Sequence, residues 1–148
     1  MQLLLLALTS ALVAADQGGV PTASSWIWYP ESVATEGAGQ WRCLRRVVRL
    51  ANLPEAATIR VRSDDSHRFR VNGKPVPAPR ASGIGGEVHD LTGALTKGEN
   101  VLAFEVFNSG GPGGLIVKGA VREAGGVEQR IHSDASFRAS KEPVDGWD

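Results

Sequence analysis

Asp64 and Asp65 are the first residues of this chain whose types could do chemistry, because paired carboxylates can divide acid and base roles between them. Hydrolysis of a glycosidic bond needs two carboxyls on opposing sides of a sugar, about 5 to 9.5 Å apart. Adjacent residues in a turn do not provide that arrangement, so the pair reads first as turn residues that hydrogen-bond nearby backbone. Their oxygens, with loop carbonyls, could also hold calcium, although the string lacks a recognised calcium-loop spacing. His67, His89 and His132 lack the close spacing of a zinc site and are expected as isolated strand or turn residues. No Gly-x-Ser-x-Gly nucleophile elbow occurs. No catalytic residue is assigned, no metal ligand is named, and calcium is the one cofactor left open.

Residues suited to binding are more numerous. Trp26, Trp28 and Trp41 could each cover the apolar face of a pyranose ring, with core packing as the competing use of the same indoles. Trp26 and Trp28 lie two apart and share one side of an extended segment, so at least one is expected in the core. Asn108 opens the run Asn108-Ser109-Gly110-Gly111-Pro112-Gly113-Gly114, where its amide could bond sugar hydroxyls or cap the loop. An apolar strand follows these glycines rather than a helix, so close backbone approach explains them better than a phosphate cradle. Arg60, Arg62, Arg68 and Arg70 alternate with apolar residues on what looks like a strand pair, and Arg42, Arg45 and Arg49 could extend the same basic surface. Such a surface is either solvated and matched by acidic neighbours or suited to an anionic polysaccharide.

These residues need strands to hold them. In ATIRVRSDDSHRFRVNG, Ala57, Ile59 and Val61 fall on one side and Thr58, Arg60 and Arg62 on the other, while Phe69 and Val71 face the core in the second half. Ser63-Asp64-Asp65-Ser66 forms a polar turn, and Asn72-Gly73 supplies a type I′ hairpin signal. A short aromatic strand is expected over 26–30, a loop over 31–39, and a strand over 41–50 in which Arg46 interrupts the apolar face near an edge or bulge. Residues 74–86 read as a long loop, 87–91 as a short strand, and Val101 to Phe107 as a central strand covered on both sides. Strands over 115–121 and 127–133 follow, joined at Gly125-Gly126. About eight strands and no helix predict an all-β antiparallel sandwich of jelly-roll type.

Composition bounds the rest. The 148 residues carry 16 basic and 16 acidic side chains, so nothing drives the chain as a whole toward nucleic acid or an anionic membrane. Cys43 is the sole cysteine, which removes an internal disulfide and any cysteine-based metal motif. The run from Leu3 to Ala15 has the length of a signal-peptide core and is shorter than the roughly 20 residues that span a bilayer. It predicts cleavage near Ala15, export to the periplasm or the extracellular space, a linker over 16–25 and a single domain over 26–148, with no membrane span in the mature chain.

Several segments, in order, resemble the galactose-binding-domain-like jelly rolls that accompany bacterial glycoside hydrolases. These include the sugar-binding domain of family 2 enzymes and the N-terminal domain of α-L-rhamnosidases. The matching pieces are Trp26-Ile27-Trp28, the 41–50 strand, Ser63-Asp64-Asp65, Val71-Asn72-Gly73-Lys74, His89-Asp90-Leu91-Thr92, Lys97 to Ala103, Asn108 to Leu115, and Ser133 to Phe137. Phe137 stands where the pattern usually has tryptophan, and the chain stops at Trp147-Asp148 where relatives usually continue, which leaves open a fragment or a free-standing copy. The resemblance implies a non-catalytic accessory module; with the apolar leader and the residues above, it leads to the expectation of an exported module of carbohydrate-binding ancestry with a site around Trp26, Trp28, Arg60, Arg62, Asp64, Asp65 and Asn108. A protein-interaction scaffold of the same fold is the alternative, and a small glycoside hydrolase stands third.

Overall fold

The computed structural model describes residues 23–31 and 37–148, which form nine strands and no helix. The expected leader, its cleavage position at Ala15 and the linker as far as residue 22 lie outside the described residues, as do 32–36 of the expected loop. The strands are β1 (Gln40–Leu50), β2 (Pro54–Asp64), β3 (Ser66–Val71), β4 (Lys74–Pro75), β5 (Glu87–Asp90), β6 (Gly98–Asn108), β7 (Gly114–Glu123), β8 (Glu128–His132) and β9 (Arg138–Ser140). They make two antiparallel sheets, ordered β4-β3-β6-β1-β9 and β5-β2-β7-β8. The all-β sandwich expected from the alternating pattern is the observed architecture.

The core lies between the sheets. Ala57, Ile59 and Val61 enter it from β2, Leu115, Val117 and Val121 from β7, and Leu102, Phe104 and Val106 from β6. Phe69 stacks on Phe104 with ring centroids 4.3 Å apart and planes 5° from parallel. Burial of each such side chain contributes about 1.5–3 kcal/mol. The outer face of β6 is covered in part as well: Trp147 returns along the chain's end to pack on Cys43 and Ala103, with Val101 beside them, and Glu105 is the polar exception. The Asn72-Gly73 turn is also as expected, since both residues have positive φ, 51° and 75°, and they join β3 to β4.

The strand pair of the sequence is a corner instead. β2 pairs with β5 and β7, whereas β3 pairs with β4 and β6 in the opposite sheet. Alternation fixes which face of a strand is buried but leaves its neighbour undetermined, and both strands here bury their apolar faces in one core from opposite sides. The arginines therefore divide. Arg60 and Arg62 point outward from the four-stranded sheet, while Arg68 and Arg70 lie on the outside of the five-stranded sheet, 3.7 and 3.5 Å from Glu105. Arg42 is not on the surface at all, because its guanidinium is buried against Glu31, with nitrogen-to-oxygen distances of 2.8 and 2.7 Å. Arg49 pairs with Glu99 at 2.8 Å, and Arg45 donates to the carbonyls of Gly146 and Trp147.

Two further expectations change in detail. Residues 26–30 do not form a strand; Ile27 exchanges one pair of 2.9 Å backbone bonds with Leu115, and Ser25 donates to Ser133 instead of extending that ladder. No bulge interrupts β1, whose register with β6 is continuous. Arg46 occupies an inward position beyond the end of short β9, where it donates to the His132 carbonyl at 2.6 Å and lies over the Phe137 ring.

Candidate functional site

Trp26, Arg60, Arg62 and Asp64 come together on the outer face of the four-stranded sheet. Trp26 keeps 50% of its surface exposed. Its indole lies so close to the Gly114 backbone that a β-carbon there would sit 2.7 Å from the ring, and Gly113 stands in the same relation to Trp28. These two glycines permit the close approach that the glycine-rich run suggested. Arg62 places its guanidinium 5.7 Å from the Trp26 ring centroid. On that side, Trp26, Arg60, Arg62, Gly85, Ile116 and Lys118 line an open groove of about 450 Å³. On the other side, Trp26 and Asp64 border a smaller depression of about 280 Å³ with Pro112, Gly113 and Gly114.

The groove is cationic by construction. Arg60 stands directly opposite Lys118 in the β2–β7 ladder, and Arg62 opposite Ile116. Among the described residues, Arg60, Arg62 and Lys118 have no carboxylate within ion-pair distance, although Arg122 and Arg130 on the same face are matched by Glu55 and Glu128. Like charges facing each other across a ladder are unfavourable unless something neutralises them.

The other expected ligand residues serve the fold. Asn108 is fully buried, donates from its amide to the Gly111 carbonyl at 2.9 Å and accepts from the Gly110 N–H at 3.0 Å. It caps its own loop and has no free face. Asp65 accepts from the backbone N–H and hydroxyl of Ser109 at 2.6 and 2.5 Å, which holds its carboxyl below the usual range and ties the β2–β3 corner to the loop after β6. Trp28 packs against the core and donates its indole N–H to Glu31 at 3.1 Å. Trp41 is tilted against Phe107 and has the Arg68 guanidinium 4.3 Å from its ring centroid, yet keeps 36% of its surface exposed.

A second cluster joins β3 to β5. His67 of β3 and His89 of β5 do not stand alone: both present Nε2 to one carboxylate oxygen of Glu87, at 3.3 and 3.1 Å. Their side chains are 8% and 5% exposed and Glu87's is 40% exposed. Each ring is held from behind, His67 Nδ1 by the Ser63 hydroxyl at 2.8 Å and His89 Nδ1 by the Pro77 carbonyl at 3.3 Å. Burial makes His67 harder to protonate than an ordinary histidine, against the pull of Glu87. His132 lies apart, bonded to the Ser24 hydroxyl at 3.0 Å. Glu87 and His89 are two apart and so share a strand face, a signal present in the sequence, but His67 reaches them only because the corner at 63–66 carries β3 into the opposing sheet.

No family model matches the chain. It is 34% identical over 132 residues to the α-L-rhamnosidase of Streptomyces avermitilis, covering 84% of this chain and 13% of that enzyme. The crystal structure of that rhamnosidase complexed with L-rhamnose superposes with a TM-score of 0.69 at 33% identity, again over 84% of this chain and 13% of the other. A lectin from Pleurotus ostreatus, solved with GalNAc, matches with a TM-score of 0.63 at 25% identity over 84% of this chain and 36% of the lectin. The rhamnosidase of Aspergillus terreus shares the fold at 16% identity and a TM-score of 0.65. The chain is thus a galactose-binding-like β-sandwich resembling a region of α-L-rhamnosidases, and it spans about an eighth of the rhamnosidase it matches.

Proposed function

We propose that this protein is an exported, non-catalytic carbohydrate-binding module that takes anionic glycans on the outer face of its four-stranded sheet. The observation that carries this reading is the half-exposed Trp26 beside Arg60, Arg62 and Lys118, three cations without a carboxylate partner among the described residues. An indole face covers the apolar side of a sugar ring, while guanidinium groups bind carboxylate or sulfate in a planar, two-pronged fashion. Sulfated or uronic acid polymers present both features. An accessory role is supported by the small fraction of the rhamnosidase that the chain spans, and a sugar ligand by the rhamnose and GalNAc of the two solved neighbours. Export is supported by the apolar run that ends at Ala15.

A glycan array that includes sulfated and uronic acid polymers, with and without calcium and EDTA, tests the reading. Retention on a sulfated-glycan column should fall steeply with added salt, because exposed charges are screened within about 10 Å at 0.1 M. Arg60→Ala combined with Arg62→Ala should abolish most of that retention. Retention unchanged in the double variant refutes the cationic face as the site, and silence across the array favours a protein-binding scaffold.

A further inference from the structure

We infer that His67, Glu87 and His89 form a binding site for a single transition-metal dication of the zinc type, at the mouth between the two sheets. The argument begins with position. His67 shares the inward side of β3 with Phe69 and Val71, and Glu87 and His89 stand opposite Val61 and Ile59 on the inward side of β5. These positions face inward at the edge of a sandwich, where aliphatic side chains would gain free energy from burial and two buried imidazoles lose it unless partnered, with Glu87 at the solvent rim. Phe69 meets the His89 ring edge-on at 5.6 Å, so the apolar layer continues up to the cluster.

Hydrogen bonding then decides what the cluster faces. The Pro77 carbonyl can only accept, so His89 Nδ1 carries a proton, and Nε2 meets the Glu87 carboxylate either through a second ring proton or, in the neutral ring, with its lone pair. Two acceptor atoms 3.1 Å apart repel unless a positive charge lies between them. His67 has a similar placement, with Nδ1 bonded to the Ser63 hydroxyl, which can donate or accept, and Nε2 turned to the same carboxylate oxygen. This is the arrangement of metal-binding histidines, in which the far nitrogen is fixed by a hydroxyl, carbonyl or carboxylate while the near one ligates.

The spacing fits as well. Tetrahedral zinc with bonds of about 2.0–2.1 Å places its donor atoms roughly 3.3 Å apart. Here the carboxylate oxygen is 3.3 and 3.1 Å from the two nitrogens, and one donor atom from each residue lies within 4.8 Å of the others. Two imidazoles and one carboxylate suit zinc and its neighbours, whereas calcium takes six to eight oxygens. Three protein donors leave one position, and it opens on a groove of about 540 Å³ between the 63–67 corner and the 82–87 loop, where water or a ligand oxygen completes the shell. This cluster lies inside the edge of the sandwich, whereas Trp26 lies on its outer face, and either assignment can fail without the other.

The test is Zn²⁺ titration of the full chain, free of any affinity tag, in competition with a chromophoric chelator. One equivalent should bind. His67→Gln, Glu87→Gln and His89→Gln should each weaken binding at least tenfold while the far-ultraviolet circular dichroism stays that of a β-sandwich, and His132→Gln should bind like the parent. Absence of stoichiometric uptake by the parent overturns the proposal, as does equal uptake by Glu87→Gln and His89→Gln, or loss of the site in His132→Gln. Should the three variants fail to fold, the parent loaded with Co²⁺ decides the matter. An intense tetrahedral visible spectrum supports the site, and the pale spectrum of the octahedral aqueous ion refutes it.

Discussion

Removal of the Trp147 side chain should switch on a thiol that the fold keeps inert. Trp147 is 4% exposed and covers Cys43, itself 2% exposed, while Arg45 holds the tail by donating to the carbonyls of Gly146 and Trp147. Burial, with a smaller contribution from the negative charge of Glu105, pushes the Cys43 thiol up to about 11. At pH 8 a thiol with that pKa is ionised to about one part in a thousand, whereas an ordinary cysteine near 8.5 to 9 is ionised to about one part in ten. Attack on a disulfide reagent requires the thiolate, so Trp147→Ala should react with an aromatic disulfide about a hundred times faster than the parent from ionisation alone. Loss of a buried tryptophan side chain typically costs about 3–5 kcal/mol. Here the indole nitrogen has no hydrogen-bond partner among the described residues, a penalty of about 1–3 kcal/mol that truncation relieves, so the net loss should be near 2 kcal/mol. Trp147→Phe keeps the cover without the orphaned N–H and should leave both reactivity and melting temperature close to the parent's. The raised thiol also fixes a sign: its contribution to stability is complete below the unfolded pKa of about 8.5 and is lost as pH rises toward 11. Equal reaction rates for the parent and Trp147→Ala, measured by stopped-flow absorbance at pH 8, would refute the reasoning, as would a Trp147→Phe protein that reacts like Trp147→Ala.

Two further outcomes separate folding roles from binding roles near the candidate site. Asp65 has its carboxyl held down by Ser109, so its contribution is present above the unfolded pKa of about 3.9 and lost as pH falls through the lower folded value. Asp65→Asn should therefore melt below the parent at pH 7 and converge with it in strong acid, as scanning calorimetry across pH 2–7 would record. Asn108→Ala leaves the Gly110 N–H and the Gly111 carbonyl without their side-chain partner and should destabilise by about 2–3 kcal/mol in urea unfolding. Its retention on the sulfated-glycan column at a temperature where it remains folded should match the parent's, and weaker retention would restore Asn108 to the binding site.

Period-two patterning was a sound guide wherever a residue's environment depends on its own strand. The inward set of β2, the largely apolar β6 and the Asn72-Gly73 turn were all legible, because side-chain direction and turn geometry are local properties. The partner of a strand is not local. The 63–66 segment serves a corner as well as a hairpin, and the choice lies with ladders formed to residues 87–90, 98–108 and 114–123. That one ambiguity placed four arginines on one surface when they occupy two, and it hid the meeting of His67 with Glu87 and His89. Asn108 was misplaced for a related reason: a strand-end amide in a glycine-rich loop looks available until the loop folds back over it.

Two departures from ordinary β-sandwich economy fall at the same edge of the fold. On the outside, Arg60 and Lys118 face each other with no carboxylate between them among the described residues. On the inside, the neighbouring edge strand β5 turns Glu87 and His89 toward the core, where apolar residues would stabilise the domain more. Arg62 borders both the Trp26 groove and the His67–Glu87 groove, and the 82–86 loop contributes to each through Gly85 on one side and Ser82, Gly83, Ile84 and Gly86 on the other. Elsewhere several outward arginines meet carboxylates: Arg68 and Arg70 meet Glu105, Arg49 meets Glu99, and Arg122 and Arg130 meet Glu55 and Glu128. Local rules are broken in natural proteins chiefly where function requires it. The uncompensated cations of β2 and β7 and the histidine–glutamate cluster of β3 and β5 meet at the β2–β5 edge, which is where the proposed glycan and metal sites lie.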